Sequence, residues 1–271
     1  MRLHRWGNCG MMKEKRKGEE TLYDIIFDLD DTLLNDQREV SEYTLNVLKQ
    51  VQAMGHRLVC NTARSKSFQQ KYFDQIRPDY AILNGGSMII DRDENTIFRA
   101  EIDVPTTQAL IRDLLALTDT VSVQTEDTFY AHKGWHTVQK AEPFDFEAEP
   151  FLLPAQKVVV AVQEEEQARG LAEKYGLAYT TYGEGPFRRY SHIGATKALG
   201  NRNLMKLIGG SLENVIAFGD DYGDMDMLKE AGVGVLMKNA RGVLHGQTRH
   251  MSDYTNDEDG VARFLVSWFG L

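Results

Sequence analysis

The chain has 271 residues, 42% of them hydrophobic and 26% charged, with a formal net charge of −9. That length and balance suit a soluble globular protein of one large domain or two ordinary ones, and the acidic charge excludes broad nucleic-acid binding, which needs basic surface to displace counterions. No apolar run approaches the roughly 20 residues of a membrane span, and the two cysteines, Cys9 and Cys60, build no disulfide framework, which fits a reducing cytoplasm.

Residues 1–20 carry six Lys/Arg against three Glu and lack the apolar stretch of a signal peptide, so they read as a disordered extension. The run Asp24-Ile-Ile-Phe-Asp28-Leu-Asp30-Asp31-Thr32 is then a buried strand that stops at three acids. Like charges this close repel, and burial raises their pKa, so a hard cation such as Mg²⁺ is the expected neutralising partner. Ser41–Met54 has helical spacing with Ser41 as its cap. Arg57–Thr62 is a second strand, Ser65–Gln75 a helix, and Asp79–Leu83 a third strand that ends at Asn84-Gly85-Gly86. Strands alternating with helices predict a parallel sheet.

The rhythm changes at residue 87. A hairpin over 87–99, a helix over Pro105–Thr118, short strands at Val121–Gln124 and Thr128–Ala131, a Pro-rich loop over Pro143–Pro154, a strand at Lys157–Val162, a helix at Glu164–Tyr175 and a strand at Leu177–Thr181 make an α+β segment. The expected organisation is an inserted domain over 87–186 between two halves of an α/β core, 21–86 and 187–271. The core pattern resumes with helix Lys197–Ile208, strand Asn214–Phe218, helix Gly223–Ala231, strand Val233–Val235 and helix Gly260–Phe269.

Two of these later segments match the first acidic strand end. Val215-Ile-Ala-Phe-Gly219-Asp220-Asp221-Tyr222-Gly223-Asp224 also breaks into acids, and Lys197 opens a helix after a Gly194-Ala-Thr196 turn. Ligands of open parallel sheets collect outside the carboxyl ends of the strands, where Asp28, Thr62 and Asp220 all fall. A lysine and a threonine hydroxyl beside an acidic metal site are what a transferring phosphoryl group requires.

With these residues in hand, the chain resembles the haloacid dehalogenase-type phosphohydrolases, specifically the Cof-like branch. Asp28, Asp30 and Thr32 match the first motif, Thr62-Ala63-Arg64 the second, Lys197 the third, and Gly219, Asp220 and Asp224 the fourth. The resemblance implies a Rossmann-like parallel-sheet core with an inserted α+β (C2-type) cap. It implies that Asp28 is the nucleophile, that Asp30 is the general acid and base, and that Lys197 and Thr62 assist. It places Mg²⁺ on Asp28, the Asp30 carbonyl and Asp220, with Asp224 acting through a bound water or by orienting the lysine or the metal shell. Thr62, Ala63, Lys197, Asn239 and Arg64 are the candidates for holding phosphate or substrate. The chain departs from the pattern at Asp31 and Ala63, where glycine is common, and at Gly223, where asparagine is usual.

The implied activity is Mg²⁺-dependent hydrolysis of a small phosphorylated metabolite, a sugar phosphate or a phosphorylated cofactor, through an aspartyl-phosphate. A phospho-receiver, a catalytically silent binder of phosphometabolites and a phosphomutase are the alternatives. In the cap, Tyr130-Ala-His132-Lys133-Gly-Trp135-His136 is a loop that either reaches the active site or serves the cap surface. Arg188, Arg189 and His192 either add positive potential over a phosphate or pair with cap acids.

Overall fold

A computed structural model describes residues 21–126, 128–134, 141–181 and 186–271. Its first part runs β1 (Asp24–Phe27), α1 (Glu42–Ala53), β2 (Arg57–Asn61), α2 (Lys66–Ile76), β3 (Tyr80–Leu83), β4 (Met88–Asp91) and β5 (Thr96–Arg99). The middle runs α3 (Val104–Leu115), β6 (Val121–Gln124), β7 (Phe129–His132), β8 (Glu142–Phe144), β9 (Lys157–Ala161), α4 (Glu165–Tyr175), β10 (Leu177–Thr181) and β11 (Phe187–His192). The chain closes with α5 (Lys197–Ile208), β12 (Val215–Gly219), α6 (Met225–Glu230), β13 (Val233–Leu236), β14 (His250–Met251) and α7 (Gly260–Phe269).

Two sheets result: an eight-stranded one ordered β14-β13-β12-β1-β2-β3-β4-β5 and a six-stranded one ordered β10-β11-β9-β6-β7-β8. The first is parallel from β14 to β3 and turns antiparallel at β4 and β5. Its inner strands, β13 to β4, are largely buried on both faces, as a covered sheet requires. Ile25 and Phe27 point into a layer with α1, α2 and α7, while Ile26 points into the opposite layer with α5 and α6. Burying each of these side chains contributes roughly 1.5–3 kcal/mol. This holds β1 in the middle of the sheet and fixes where its acidic end emerges. The second sheet lays one face on α3 and α4 around its own core of Val121, Val123, Val158, Val160 and Tyr190. The Rossmann-like core with an inserted α+β cap is therefore present.

Strand pairing crosses both expected boundaries, 87 and 186, and shifts each of them toward the C-terminus. The β4–β5 hairpin belongs to the core sheet, where β4 pairs with β3. Met88 and Ile90 join one core layer and Ile89 the other, so this strand is apolar on both faces like its neighbours. At the other end, β11 pairs with β9 and β10 inside the cap sheet. Its Arg188-Arg189 pair disguises a strand, because the two arginines serve opposite faces. No helix among the described residues is long and apolar enough to cross a membrane.

Candidate active site

β1 lies between β2 and β12, so the carboxyl ends of three neighbouring strands converge. Asp28 stays in register there, its amide donating to the Phe218 carbonyl at 3.1 Å. Its Oδ2 lies 3.0 Å from the Lys197 ammonium; Asp28 is buried and the Lys197 side chain is about nine-tenths so. Lys197 is the first residue of α5, capped by Thr196, whose hydroxyl accepts the Leu199 amide. A cation at a helix N-terminus opposes the helix dipole. Two carboxylates outweigh that cost, since the same ammonium lies 2.6 Å from Asp224 Oδ1.

Asp224 is held in turn by the loop it closes. Its Oδ2 accepts the amides of Asp220 and Asp221 at 3.0 and 3.1 Å. This return is possible only because residue 219 is glycine: a Cβ there would stand 2.4 Å from the Asp224 Cβ. Asp220 Oδ1 accepts the buried Thr32 hydroxyl at 2.7 Å. Thr32 belongs to the first motif, and this bond gives it a role there.

The charge balance favours a bound cation. Burial pushes the Asp28 carboxyl well up, with Asp224 and Asp220 adding to the rise against the pull of Lys197. Burial likewise pushes Asp220 up to about 7. Lys197 resists the same burial because Asp224 and Asp28 hold its ammonium charged. Carboxylate oxygens of Asp28, Asp220 and Asp224 lie within 4.8 Å of one another. This hard oxygen set fits Mg²⁺. Asp28 and Asp220 are the better placed donors, since both oxygens of Asp224 already serve Lys197 and the loop amides.

The Asp30 side chain turns away from that cluster. It receives Arg64 Nε at 2.9 Å and Nη2 at 2.6 Å, and Arg38 Nη1 binds it as well. Burial opposes ionisation here, but the hydrogen bonds and charge of Arg64, with the charge of Arg38, hold the carboxyl below its usual range. Arg64 stacks over Tyr72, its guanidinium 5.1 Å from the ring centre. Arg64 is therefore engaged with the acid–base candidate, and Arg38 is a site residue the sequence did not reveal. The turn that aims Asp30 places Asp31 at φ 56°, left-handed backbone, which accounts for glycine being common at this position.

Thr62 is fully buried at the end of β2, and its hydroxyl oxygen accepts the Arg64 amide at 3.2 Å, leaving the O–H as a donor. The Ala63 carbonyl accepts the cap residue Lys157 at 3.3 Å. Asn239 uses both ends of its amide: Nδ2 donates to the Asp31 carbonyl at 2.7 Å, and Oδ1 accepts the Asn256 amide at 3.0 Å. It braces the loop of the first motif.

The described part of the cap loop packs within the cap. Tyr130 packs edge-on against Phe144 and Phe151, and His132 stacks on Phe146. Trp135 and His136 lie outside the described residues. His132, Asp145 and Glu147 also cluster within 4.8 Å. However, His132 Nδ1 accepts the Phe146 amide at 3.3 Å, which puts the ring proton on Nε2, and Lys133 pairs with Glu147. That arrangement leaves the ring no lone pair for a cation. Arg188 pairs with Glu165 on the cap helix α4, and His192 Nδ1 accepts the Gly194 amide at 2.9 Å.

The model of the haloacid dehalogenase-like hydrolases matches residues 25–265. Among curated proteins, the chain is 26% identical over 273 residues to the 5-amino-6-(5-phospho-D-ribitylamino)uracil phosphatase YitU of Bacillus subtilis, covering 92% of this chain and 98% of that protein. It is 24% identical over 277 residues to the pyridoxal phosphate phosphatase YbhA of Escherichia coli, covering 90% and 97%. A haloacid dehalogenase-like hydrolase from Bacteroides thetaiotaomicron shares the fold with a TM-score of 0.77 at 23% identity, covering 92% of this chain and all of that one. With three of its motifs at neighbouring strand ends, Lys197 brought to them by the start of α5, and the family matched across almost the whole core and cap, the chain belongs to the haloacid dehalogenase-like hydrolases.

Proposed function

We propose that the protein hydrolyses a small phosphorylated metabolite, a sugar phosphate or a phosphorylated cofactor, in a Mg²⁺-dependent reaction through an aspartyl-phosphate. The carrying observation is the buried Asp28 carboxylate 3.0 Å from Lys197, beside Asp220, at the carboxyl end of β1. Asp28 attacks phosphorus and the bond to the leaving oxygen breaks, while Asp30 gives that oxygen a proton. Asp30 then takes a proton from water as the water oxygen attacks the phosphoryl group, which frees Asp28 and releases inorganic phosphate. Lys197 and the Thr62 hydroxyl offset charge on the phosphoryl oxygens, and Asp224 keeps the lysine in place. A Mg²⁺ ion held by Asp28 and Asp220 supplies further positive charge for those oxygens.

Phosphate release from a panel of phosphorylated metabolites, with Mg²⁺ and with EDTA, tests this reading. Turnover that needs the metal and falls to a few per cent or less in Asp28→Asn supports it. Activity that survives full chelation, or that persists in Asp28→Asn, sinks it. Release of phosphate into solution also separates this reading from a phosphomutase, which passes the group to a second hydroxyl.

A further inference from the structure

We infer that Asn61 is a positioning residue for the reaction: its side-chain amide fixes where α5 begins, and so where the Lys197 ammonium stands. The inference rests on the phosphatase reading and adds to that site a residue outside its four motifs.

Asn61 closes β2, immediately before Thr62, and is fully buried. Val59, two residues earlier, points into the layer with α5 and α6, and strand alternation sends Asn61 the same way. There its Nδ2 donates to Asn201 Oδ1 at 2.7 Å and to the Lys197 carbonyl at 3.0 Å. Asn201 is one turn beyond Lys197 on α5 and is also buried. Met227 Sδ, on α6 three residues past Asp224, lies 3.7 Å from the same nitrogen. One amide therefore touches the strand that leads to Thr62, the helix that carries Lys197 and the helix that follows Asp224.

Apolar packing does not fix the lysine in the same way. Gly200 lets α5 lie close to the sheet, since a Cβ there would stand 2.5 Å from Ile82 Cγ2. Contacts of that kind are non-directional, so they set the distance of the helix more firmly than its slide along its own axis. Hydrogen bonds are directional. Two of them, from one planar amide to points a turn apart on α5, set both slide and rotation. They act at the first turn, where helices fray and where Lys197 stands.

The arrangement is not the cheapest filling for this space. Asn61 Oδ1 and Asn201 Nδ2 are buried with no hydrogen-bond partner among the described residues. Burying such groups without a partner costs stability, whereas replacing both members of a polar pair by apolar groups of the same shape can be neutral. Two leucines, with the same branching, would remove that cost. Stability alone therefore does not account for the pair, and seating Lys197 does.

Three variants separate positioning from support, read by thermal melting and by kcat on the most readily hydrolysed ester of a panel that includes para-nitrophenyl phosphate. Asn201→Leu breaks the pair but leaves Asn61 on the Lys197 carbonyl, so it should melt lower while kcat stays close to the parent's. Asn61→Leu removes the donor to that carbonyl, and kcat should fall by roughly 10- to 100-fold. Asn61→Leu with Asn201→Leu removes both orphaned amides, so melting should recover toward the parent while kcat stays low. This double variant also carries the test if Asn61→Leu alone fails to fold. A double variant that regains kcat along with stability overturns the inference, as does unchanged kcat in Asn61→Leu. If the parent is active and kcat simply follows melting through all three variants, the inference falls and the phosphatase reading stands. A parent that turns over no ester ends both.

Discussion

Arg64 grips Asp30 through two hydrogen bonds, Nε to Oδ2 at 2.9 Å and Nη2 to Oδ1 at 2.6 Å. Arg38 joins the same carboxylate, and the Tyr72 hydroxyl donates to the Arg38 carbonyl at 3.0 Å. The residue assigned to proton transfer therefore rests ionised in an arginine clamp and must be released and protonated before it can act as an acid.

The clamp has a signature in the pH profile. Removing a cation destabilises the carboxylate, so Arg64→Met raises the Asp30 pKa even with Arg38 still in place. The protonated fraction then persists to higher pH, and the descending alkaline limb of kcat/KM set by Asp30 moves up by the same amount. Arg64→Lys should move it less. A limb that stays put in Arg64→Met assigns proton donation to another group.

Asp224 acts through Lys197. Its two oxygens divide between the ammonium and the amides of Asp220 and Asp221. Asp224→Asn keeps an acceptor for the loop but drops the charge that seats the lysine, so kcat should fall by about a hundredfold or more with the fold retained. Asp224→Ala leaves both the loop amides and Lys197 short of a partner, and should lower stability by roughly 3–5 kcal/mol. Steady-state kinetics and thermal melting distinguish the two outcomes. Equal kcat in Asp224→Asn and wild type would remove Asp224 from the machinery.

Two glycines of the same loop should respond in opposite ways. Gly219→Ala drives a Cβ into Asp224, so it should lower stability by about 1–3 kcal/mol and lose activity along with Asp224's position. A Cβ at Gly223 meets nothing within 4 Å, so Gly223→Asn should melt within about 2 °C of the parent. It restores the amide usual at this position in the family, and Mg²⁺ titration should show tighter binding. Unchanged affinity would mean that the loop no longer needs that amide.

Much of this site was legible in the sequence, because charge at the end of an apolar strand is a local signal. Asp28, Thr62 and Asp220 announced themselves that way, and Lys197–Ile208, Leu177–Thr181 and Gly260–Phe269 have the bounds that spacing and caps predict. The family followed from the same motifs. What escaped depends on partners distant in sequence. Asn239 reads equally as a phosphate ligand or a turn until Asp31 and Asn256 are seen to occupy it. Arg38 has no motif, and only the fold of the loop brings it to Asp30. The alternation through Gln124 and Lys157 looks like a solvent face, and only the docking of cap on core makes it a buried one. The hairpin over 87–99 reads as part of the inserted domain because its antiparallel rhythm differs, although β4 pairs with β3 and buries apolar side chains in both layers of the core.

The acidic cluster makes a last prediction about metal and pH. Burial raises the folded-state pKa of Asp28 and takes Asp220 to about 7, against an ordinary value of 3.8. Between those values the metal-free folded protein binds protons that the unfolded chain has released. Its stability therefore declines as pH rises across that window. A divalent cation needs both carboxylates ionised, so its binding expels these protons and tightens as pH rises toward and past neutrality. The thermal shift produced by Mg²⁺ should accordingly be larger a unit above neutrality than a unit below it. Affinity should gain up to about tenfold per pH unit for each carboxylate still titrating. Asp220→Asn should weaken binding and flatten the slope. Calorimetry in buffers of different ionisation enthalpy counts the protons released: a release that vanishes at alkaline pH fits the cluster, whereas pH-independent binding with no release would place the cation elsewhere.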